Sequence, residues 1–458
     1  MYKSLVAALV IAGSAGWSQA QTPAEEYGPP TTDLNVPQNP GQSHSGFLGA
    51  MDSISQFKKP NLKWGLLSLN PYYGIGGTYD TNIYLQPKSN VPGQTANNNK
   101  AGPVLGSWIT DNNFGLKTNL PLSEMHRVSL DYDFIWRDYT KSPAVNNAVN
   151  QGLNAAYAYK GPMGLSGGIT DNYVNTTDPA TTELVTRKMR WENAVAAQGE
   201  YSPEGGSLFA AIDASDTRDK YIADDPNLRT QLDRYTLSVG GKLGWKLQPT
   251  TRVYAAYHRQ VIHYTVHQDN PKDNKADILD FGVEGRIAPK LTGKIQTGVQ
   301  FRRYDSANPG FNGAAKNTAN WMVGTNLTYN PLERTSIDFL LSRALQESTF
   351  APSQYYVANN VGLSVKHKLP RKLTAMLNGG LEFDQYPGFT PATGTNNIGG
   401  PSGKRRDDLY QVGPGLDYDI QEWLRAGVTY LYRARFSVFS QQFGYRDQQT
   451  TVKLSLLF

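Results

Sequence analysis

The residues able to do chemistry are few and scattered. The histidines are His44, His126, His258, His263, His267 and His367. His263 and His267 share a face if they lie on one strand, and with further donors they could hold a metal. No third ligand follows at a suitable spacing, so solvated loop histidines are the better reading and neither a metal nor another cofactor is expected. Asp131/Asp133 and Asp417/Asp419 are carboxylates two residues apart, on one face of an extended strand, as general acid–base work would require. Salt-bridge networks on a wet wall explain them better. No nucleophile elbow and no phosphate-cradling loop is present, so no enzyme is expected. The absence of cysteine excludes a lipidated N-terminal Cys and a disulfide framework. It also suits export through an oxidising periplasm.

The elements that carry these residues read as strands. In Arg127–Trp136, Val128, Leu130, Tyr132, Phe134 and Trp136 share one face, and Arg127, Ser129, Asp131 and Asp133 the other. The same alternation runs through 279–287, 291–302, 373–384 and 424–436. Its polar face collects Asp131, Asp133, Asp280, Glu284, Arg286, Lys294, Arg302, Glu382, Asp417, Asp419, Arg425, Arg433 and Arg435. Connections between strands come in two kinds. Tight turns stand at Pro121–Glu124, Gly161-Pro162, Pro203–Gly206, Gln248–Thr250, Ala288–Lys290, Asn330–Glu333, Leu369–Arg371 and Ile420–Glu422. Long polar connections lie at about 87–104, 140–147, 174–182, 218–230, 265–275, 305–316, 346–354, 385–404 and 437–445. Eight short and nine long connections join eighteen strands, the pattern of short periplasmic turns and long extracellular loops. A soluble sandwich also alternates, but the charge on the polar face and the aromatic placement argue against one. Trp136, Trp191 and Trp321 fall on the apolar face at the long-loop ends, and Tyr201, Tyr329 and Tyr418 at the tight-turn ends. Two such levels read as interface girdles. The expected fold is therefore all-β, a single transmembrane antiparallel barrel over residues 64–458. A barrel this wide encloses an aqueous channel unless something plugs it, and the thirteen charged residues would line it. Pro414 sits mid-strand and removes one ladder bond, so a local bend is expected there.

The ends agree with export. Lys3, the apolar run Leu5–Ala12 and Ser18-Gln19-Ala20 read as a signal peptide over 1–20, too short to span hydrocarbon as a helix. Residues 21–63 lack any period and read as a periplasmic arm able to reach into the barrel and plug it. In the last strand Val452, Leu454, Leu456 and Phe458 share a face against Lys453 and Ser455. A terminal aromatic on such a strand resembles the assembly signal of outer-membrane barrels. The expected partners are outer-membrane lipid and lipopolysaccharide, together with the barrel-assembly machinery. The formal charge of +5 is too weak over this length to argue for nucleic acid. The mean hydropathy of −0.50 looks soluble, yet only alternate strand residues of a barrel face lipid.

The first strand carries a more specific signal. Leu69-Asn70-Pro71-Tyr72-Tyr73-Gly74 leads to Gly77-Thr78-Tyr79-Asp80-Thr81-Asn82-Ile83-Tyr84-Leu85. This segment resembles the opening of the second putative β-barrel porin family, which is similar in the proline early in strand one and in the aromatic-Asp-x-Asn-aliphatic end. The resemblance implies a large barrel linked to exopolysaccharide export, alongside synthesis, polymer-length and other polysaccharide export proteins. Asp80 and Asn82 have inward parity, and a hydrogen-bonded pair closing the first loop is the preferred account of them. Three functions compete: a conduit for secreted polysaccharide, a general or sugar-specific diffusion porin, and a structural or adhesive surface barrel. Tyr72, Tyr84 and Tyr254 also have inward parity but are too scattered to form a sugar-binding track.

Overall fold

A computed structural model describes residues 62–87, 104–178, 183, 187–222, 229–230, 232–266, 272–305, 317–349, 353–387, 404–438 and 443–457. The signal peptide, the arm at 21–61, His44, His267, residues 388–402 and Phe458 lie outside these. Strand propensity is spread through the chain, because β-branched and aromatic residues alternate with polar ones. The strands are β1 (Leu62–Trp64), β2 (Leu67–Asp80), β3 (Ser107–Pro121), β4 (His126–Tyr139), β5 (Ala148–Lys160) and β6 (Leu165–Thr176). They continue as β7 (Arg190–Tyr201), β8 (Leu208–Tyr221), β9 (Arg234–Gln248), β10 (Thr251–Tyr264), β11 (Asn274–Ala288) and β12 (Leu291–Tyr304). The chain ends with β13 (Asn317–Leu332), β14 (Thr335–Glu347), β15 (Tyr355–Lys368), β16 (Leu373–Gln385), β17 (Arg406–Gln421), β18 (Leu424–Ser437) and β19 (Tyr445–Leu457). A single helical turn, α1 (Pro143–Asn146), lies between β4 and β5.

Strands β2 to β19 each pair antiparallel with the next, and β19 returns to β2 from Leu457↔Tyr72 to Gln449↔Asp80. The eighteen-stranded barrel predicted from the turns is therefore closed. Closure matters because a backbone group unpaired in hydrocarbon costs several kcal/mol. The extra strand β1 folds back through Gly65 onto the foot of β2, pairing Leu62 with Leu69. All eight tight turns fall between strands as read from the sequence. The turn at 369–372 reverses with Arg371 and Lys372 both at positive φ (61° and 64°), a conformation that fits the twist of a two-residue hairpin. Gly285 and Gly293 face each other across β11 and β12, with φ of 107° and 143°. A Cβ on either would stand about 2.0 Å or less from a neighbouring carbonyl oxygen, of Thr250 and Asn326 respectively. Only glycine lets the two strand feet bend there.

Pairing lapses at two places. Across β17 and β18 the ladder jumps from Val412↔Tyr432 to Gly415↔Thr429, which brackets Pro414. Between β13 and β14 it is larger. Pairing runs only from Leu332↔Thr335 to Val323↔Arg343, leaving residues 317–322 of β13 without a β14 partner. Above Arg343, β14 parts from β13 and bends into the barrel while its pairing with β15 runs on to Glu347↔Tyr355. Ala344 packs on Ile278 and Met322 from the inside, and Glu347 meets Tyr264, Asn274 and Arg302. Arg343 stays outside and roofs the gap. It donates to Asn359 Oδ1 (2.6 Å) and Asn320 Oδ1 (3.3 Å), with its guanidinium 4.6 Å from the Trp321 ring.

Candidate functional site in the barrel lumen

Which face of each strand is inward follows from reach. On a concave wall, side chains from non-adjacent strands converge. Arg252 on β10 is 2.5 Å from Glu200 on β7, and Tyr254 on β10 donates to Gln296 on β12 at 2.9 Å. Strands about 4.8 Å apart allow such contacts only on the inside. The other face carries Trp136, Trp321, Tyr201, Tyr329 and Tyr418, all exposed.

The charged residues singled out by parity lie on the inward face, at two levels. Toward the tight turns, Arg286 is exposed and Lys294 is partly so, its Nζ 5.4 Å from the Tyr254 ring. Asp131 and Asp133 are half-buried at mid-height on β4. Asp417 pairs with Lys453 (3.5 Å), and Arg425 with Asp419 (2.5 Å). Glu284 receives both Lys242 (3.3 Å) and Arg252 (2.6 Å). His258 lies between Asp213 (3.2 Å) and Asp280 (3.7 Å). Toward the long loops, Arg302 pairs with Glu347, Arg433 with Asp447 (2.8 Å), and Arg435 is buried over the Tyr445 ring. Glu382 is buried beside them on β16. Among the described residues both signs alternate, and charges that would be costly to bury alone are held in pairs.

Exposure falls steadily along this inward face. On β4, Arg127 at the turn end is exposed, Ser129 to Asp133 are half-buried, and Ile135, Arg137 and Tyr139 are buried. On β12 the sequence Thr292, Lys294, Gln296, Gln300, Arg302 and Tyr304 behaves in the same way. The lumen is thus wet near the tight turns and filled near the long loops. Part of the filling is a clasp made from connections. The Glu183 carboxylate, between β6 and β7, accepts from Ser348 Oγ (2.8 Å), Thr349 N (2.5 Å) and Thr349 Oγ1 (2.9 Å). Arg405, before β17, reaches Glu183 at 3.4 Å and Asp407 at 2.5 Å, and lies 3.8 Å from the Phe443 ring centroid. Burial opposes its charge, yet Tyr386, Asp407 and Glu183 hold the guanidinium above its ordinary value. Lys272 donates to Ser348 O at 2.6 Å, and burial pushes its ammonium below the usual lysine range.

The first-strand motif has a different role in the geometry. Asn82 N donates to Asp80 Oδ1 (2.7 Å), and Gln449 on the last strand donates to Asp80 Oδ2 (2.8 Å). Asn82 Nδ2 reaches Gln86 O (2.9 Å) and Arg446 O (3.1 Å), and Thr81 N donates to Gln448 O (3.0 Å). Tyr79, which has outward parity, packs against Trp108 in a tilted arrangement with ring centroids 5.1 Å apart. Ile83 packs with Ile109 and Tyr139. Pro71 stands at the foot of β2 opposite Leu116. The motif staples the first strand to the last. His263 is 2.6 Å from Asp273 on the outward face near the end of β10, and His267, the other half of the candidate metal pair, lies outside the described residues.

Sequence reasoning missed Lys242, Arg252, Glu200, His258 and Asp213, all of which parity would have found, and it placed Lys453 on the polar face of the last strand without singling it out. It also missed Glu183 and Arg405, which lie in connections where no period points to them. Glu347 has outward parity in the sequence and is inside only because β14 bends.

Residues 171–458 match the family described as Putative beta-barrel porin 2. No curated protein matches the chain. Among solved structures, the outer membrane protein OpdK of Pseudomonas aeruginosa is similar at 12% identity and a TM-score of 0.45, over 85% of this chain and 99% of that one. The siderophore receptor PirA of Pseudomonas aeruginosa is similar at 10% identity and a TM-score of 0.39, over 85% and 80%.

Proposed function

The chain belongs to the Putative beta-barrel porin 2 family, and from that premise we propose that this outer-membrane, porin-like channel exports a secreted polysaccharide. The observation that carries the reading is the inward wall. It is polar, it mixes both signs, and its charges are paired with one another. A long polyhydroxyl chain needs many hydrogen-bond partners and no dominant field, whereas single-sign rings select ions. The family resemblance of the first strand supplies the link to polysaccharide. The long connections then face outward from the cell and the tight turns face the periplasm. Lipid, lipopolysaccharide and the barrel-assembly machinery are the partners that follow, with polysaccharide export proteins at the periplasmic side. No chemical step is asked of the wall.

A sugar-specific uptake porin is the second reading. It would place accessible aromatics along the lumen, but Tyr72 and Tyr254 are 3% and 5% exposed. A structural or adhesive barrel is the third. Deletion of the gene separates them. Loss of surface polysaccharide with unchanged growth on small sugars is the expected outcome. Unchanged polysaccharide with slowed sugar uptake sinks the export reading in favour of the porin, and no effect on either favours the structural barrel.

A further inference from the structure

The pairing of charges along the inward wall stops short of the tight-turn end. In that half Glu200 is paired with Arg252, Glu284 with Lys242 and Arg252, Asp417 with Lys453 and Asp419 with Arg425. Asp131 faces Lys117 across β3 and β4, and Asp338 accepts from the Thr328 hydroxyl at 2.6 Å. Five further bases have inward parity there: Lys160 on β5, Lys246 on β9, Arg286 on β11, and Lys366 and Lys368 on β15. Each lies within two residues of the end of its strand, and none is in an ion pair among the described residues. Lys160, Arg286 and Lys368 are exposed, and Lys246 and Lys366 half-buried. Lys246 donates to Pro203 O at 2.9 Å, a contact that leaves its charge uncancelled. The turns below carry Glu124, Glu204, Glu333 and Glu422 against Lys290, Arg334, Arg371 and Lys372, so they add no net charge.

We propose that this basic mouth receives an acidic polysaccharide, one whose sugars carry carboxylates. This rests on the export reading and narrows its substrate. The placement of the bases selects a polymer over a small anion. The strands that carry them stand at least two apart around the barrel, which is about 10 Å or more along the wall. That exceeds a Debye length of about 8 Å at physiological salt, so no common field forms, and a small ion meets one base at a time. A chain with a charge on successive sugars meets several bases at once, and its attractions multiply. Four of the five are lysines, strongly hydrated point charges that attract without fixing a geometry. The chain can therefore enter and still slide on. Toward the long loops the arginines are already taken, Arg137 by Asp111 and Arg433 by Asp447, so entry is the step that distinguishes a charged chain from a neutral one.

Fluorescence anisotropy of a labelled oligogalacturonate, added to the full-length barrel in detergent at physiological salt, tests this against a neutral dextran oligomer of equal length. The oligogalacturonate should bind at least tenfold more tightly, and free galacturonate at the same carboxylate concentration should not displace it. Replacing Lys160, Arg286, Lys366 and Lys368 together with Gln should abolish the preference. None of the four has an ion pair to lose, and heat-modifiable migration confirms that the variant is folded. Lys220→Gln with Arg303→Gln removes two exposed bases of the outward face and should leave the preference intact. The proposal is overturned if the wild type binds neither oligomer, if it binds dextran as well as oligogalacturonate, or if the folded four-base variant keeps the preference. Any of these, with surface polysaccharide still lost on gene deletion, removes the acidic class and leaves export standing, whereas polysaccharide retained on deletion removes export itself.

Discussion

At the scale of single residues, the lumen shows how charge is tolerated inside a barrel. Arg302 and Glu347 are 3% and 8% exposed, and each is the other's counter-ion. Removing one partner of a buried pair leaves an uncompensated charge, which costs about 3–5 kcal/mol, whereas replacing both by apolar groups of similar volume is near neutral. Glu347→Leu should therefore lower folding stability by about 3–5 kcal/mol, and Arg302→Met combined with Glu347→Leu should recover most of it. Urea unfolding of the purified barrel in detergent measures both. Equal stability of the single variant and the wild type would show that water reaches Arg302 and that the loop half of the lumen is open. The thirteen inward charges were legible because parity is local. A period of two assigns the face of any residue once the strand is recognised. Which acid meets which base was not legible, because register between strands and the tilt of the wall decide that.

At the scale of elements, the tight turns were the most readable feature. Proline, glycine and acidic residues interrupt an alternating pattern for only a few positions, and the structure places a hairpin at every one. The behaviour of β14 was hidden. Leu345 and Glu347 continue the outward parity of Phe339 and Leu341, yet above Arg343 the strand parts from β13 and bends inward while staying paired with β15. Nothing in the local pattern marks the departure, since its cause is a set of partners on β10 to β12. The clasp at Glu183 was hidden for a related reason. It joins the β6–β7 connection to residues 165 and 222 positions away, and connections carry no period. The contrast between long connections at one end and tight turns at the other is the basis of the proposed sidedness. A short epitope tag inserted within 388–402 should bind antibody on intact cells, and one inserted at Pro203–Gly206 should bind only after the outer membrane is permeabilised. Reversed labelling would invert the orientation.

At the scale of the whole molecule, the pairing of charges sets what the channel can discriminate. Acids and bases on neighbouring strands cancel, so the purified barrel should conduct ions in planar bilayers with weak selectivity. Arg425, Arg433 and Arg435 line one strand, each close to an acid or an aromatic ring. Replacing the three with Gln should move the reversal potential toward cations; because Asp447 and Asp419 lose their counter-ions the variant should also be less stable than the wild type, so heat-modifiable migration first establishes that it is folded. A deletion variant lacking residues 21–60 tests whether the arm limits conductance, in which case it conducts more than the full chain. If both remain silent after verified insertion, the channel reading fails.

The staple between the first strand and the last sets the order of events in folding. Asp80 and Asn82 meet Gln449 and Arg446, residues 364 to 369 positions away, and loop closure over that span is the largest entropic step the chain can take. Every hairpin in the wall can form from near neighbours, but this junction cannot form until the last strand has been made. Until then the nascent sheet has two free edges, each a template for pairing with another chain. The waiting time before that final junction, rather than the strength of any one contact in the finished wall, is therefore the interval in which this protein is most exposed to aggregation.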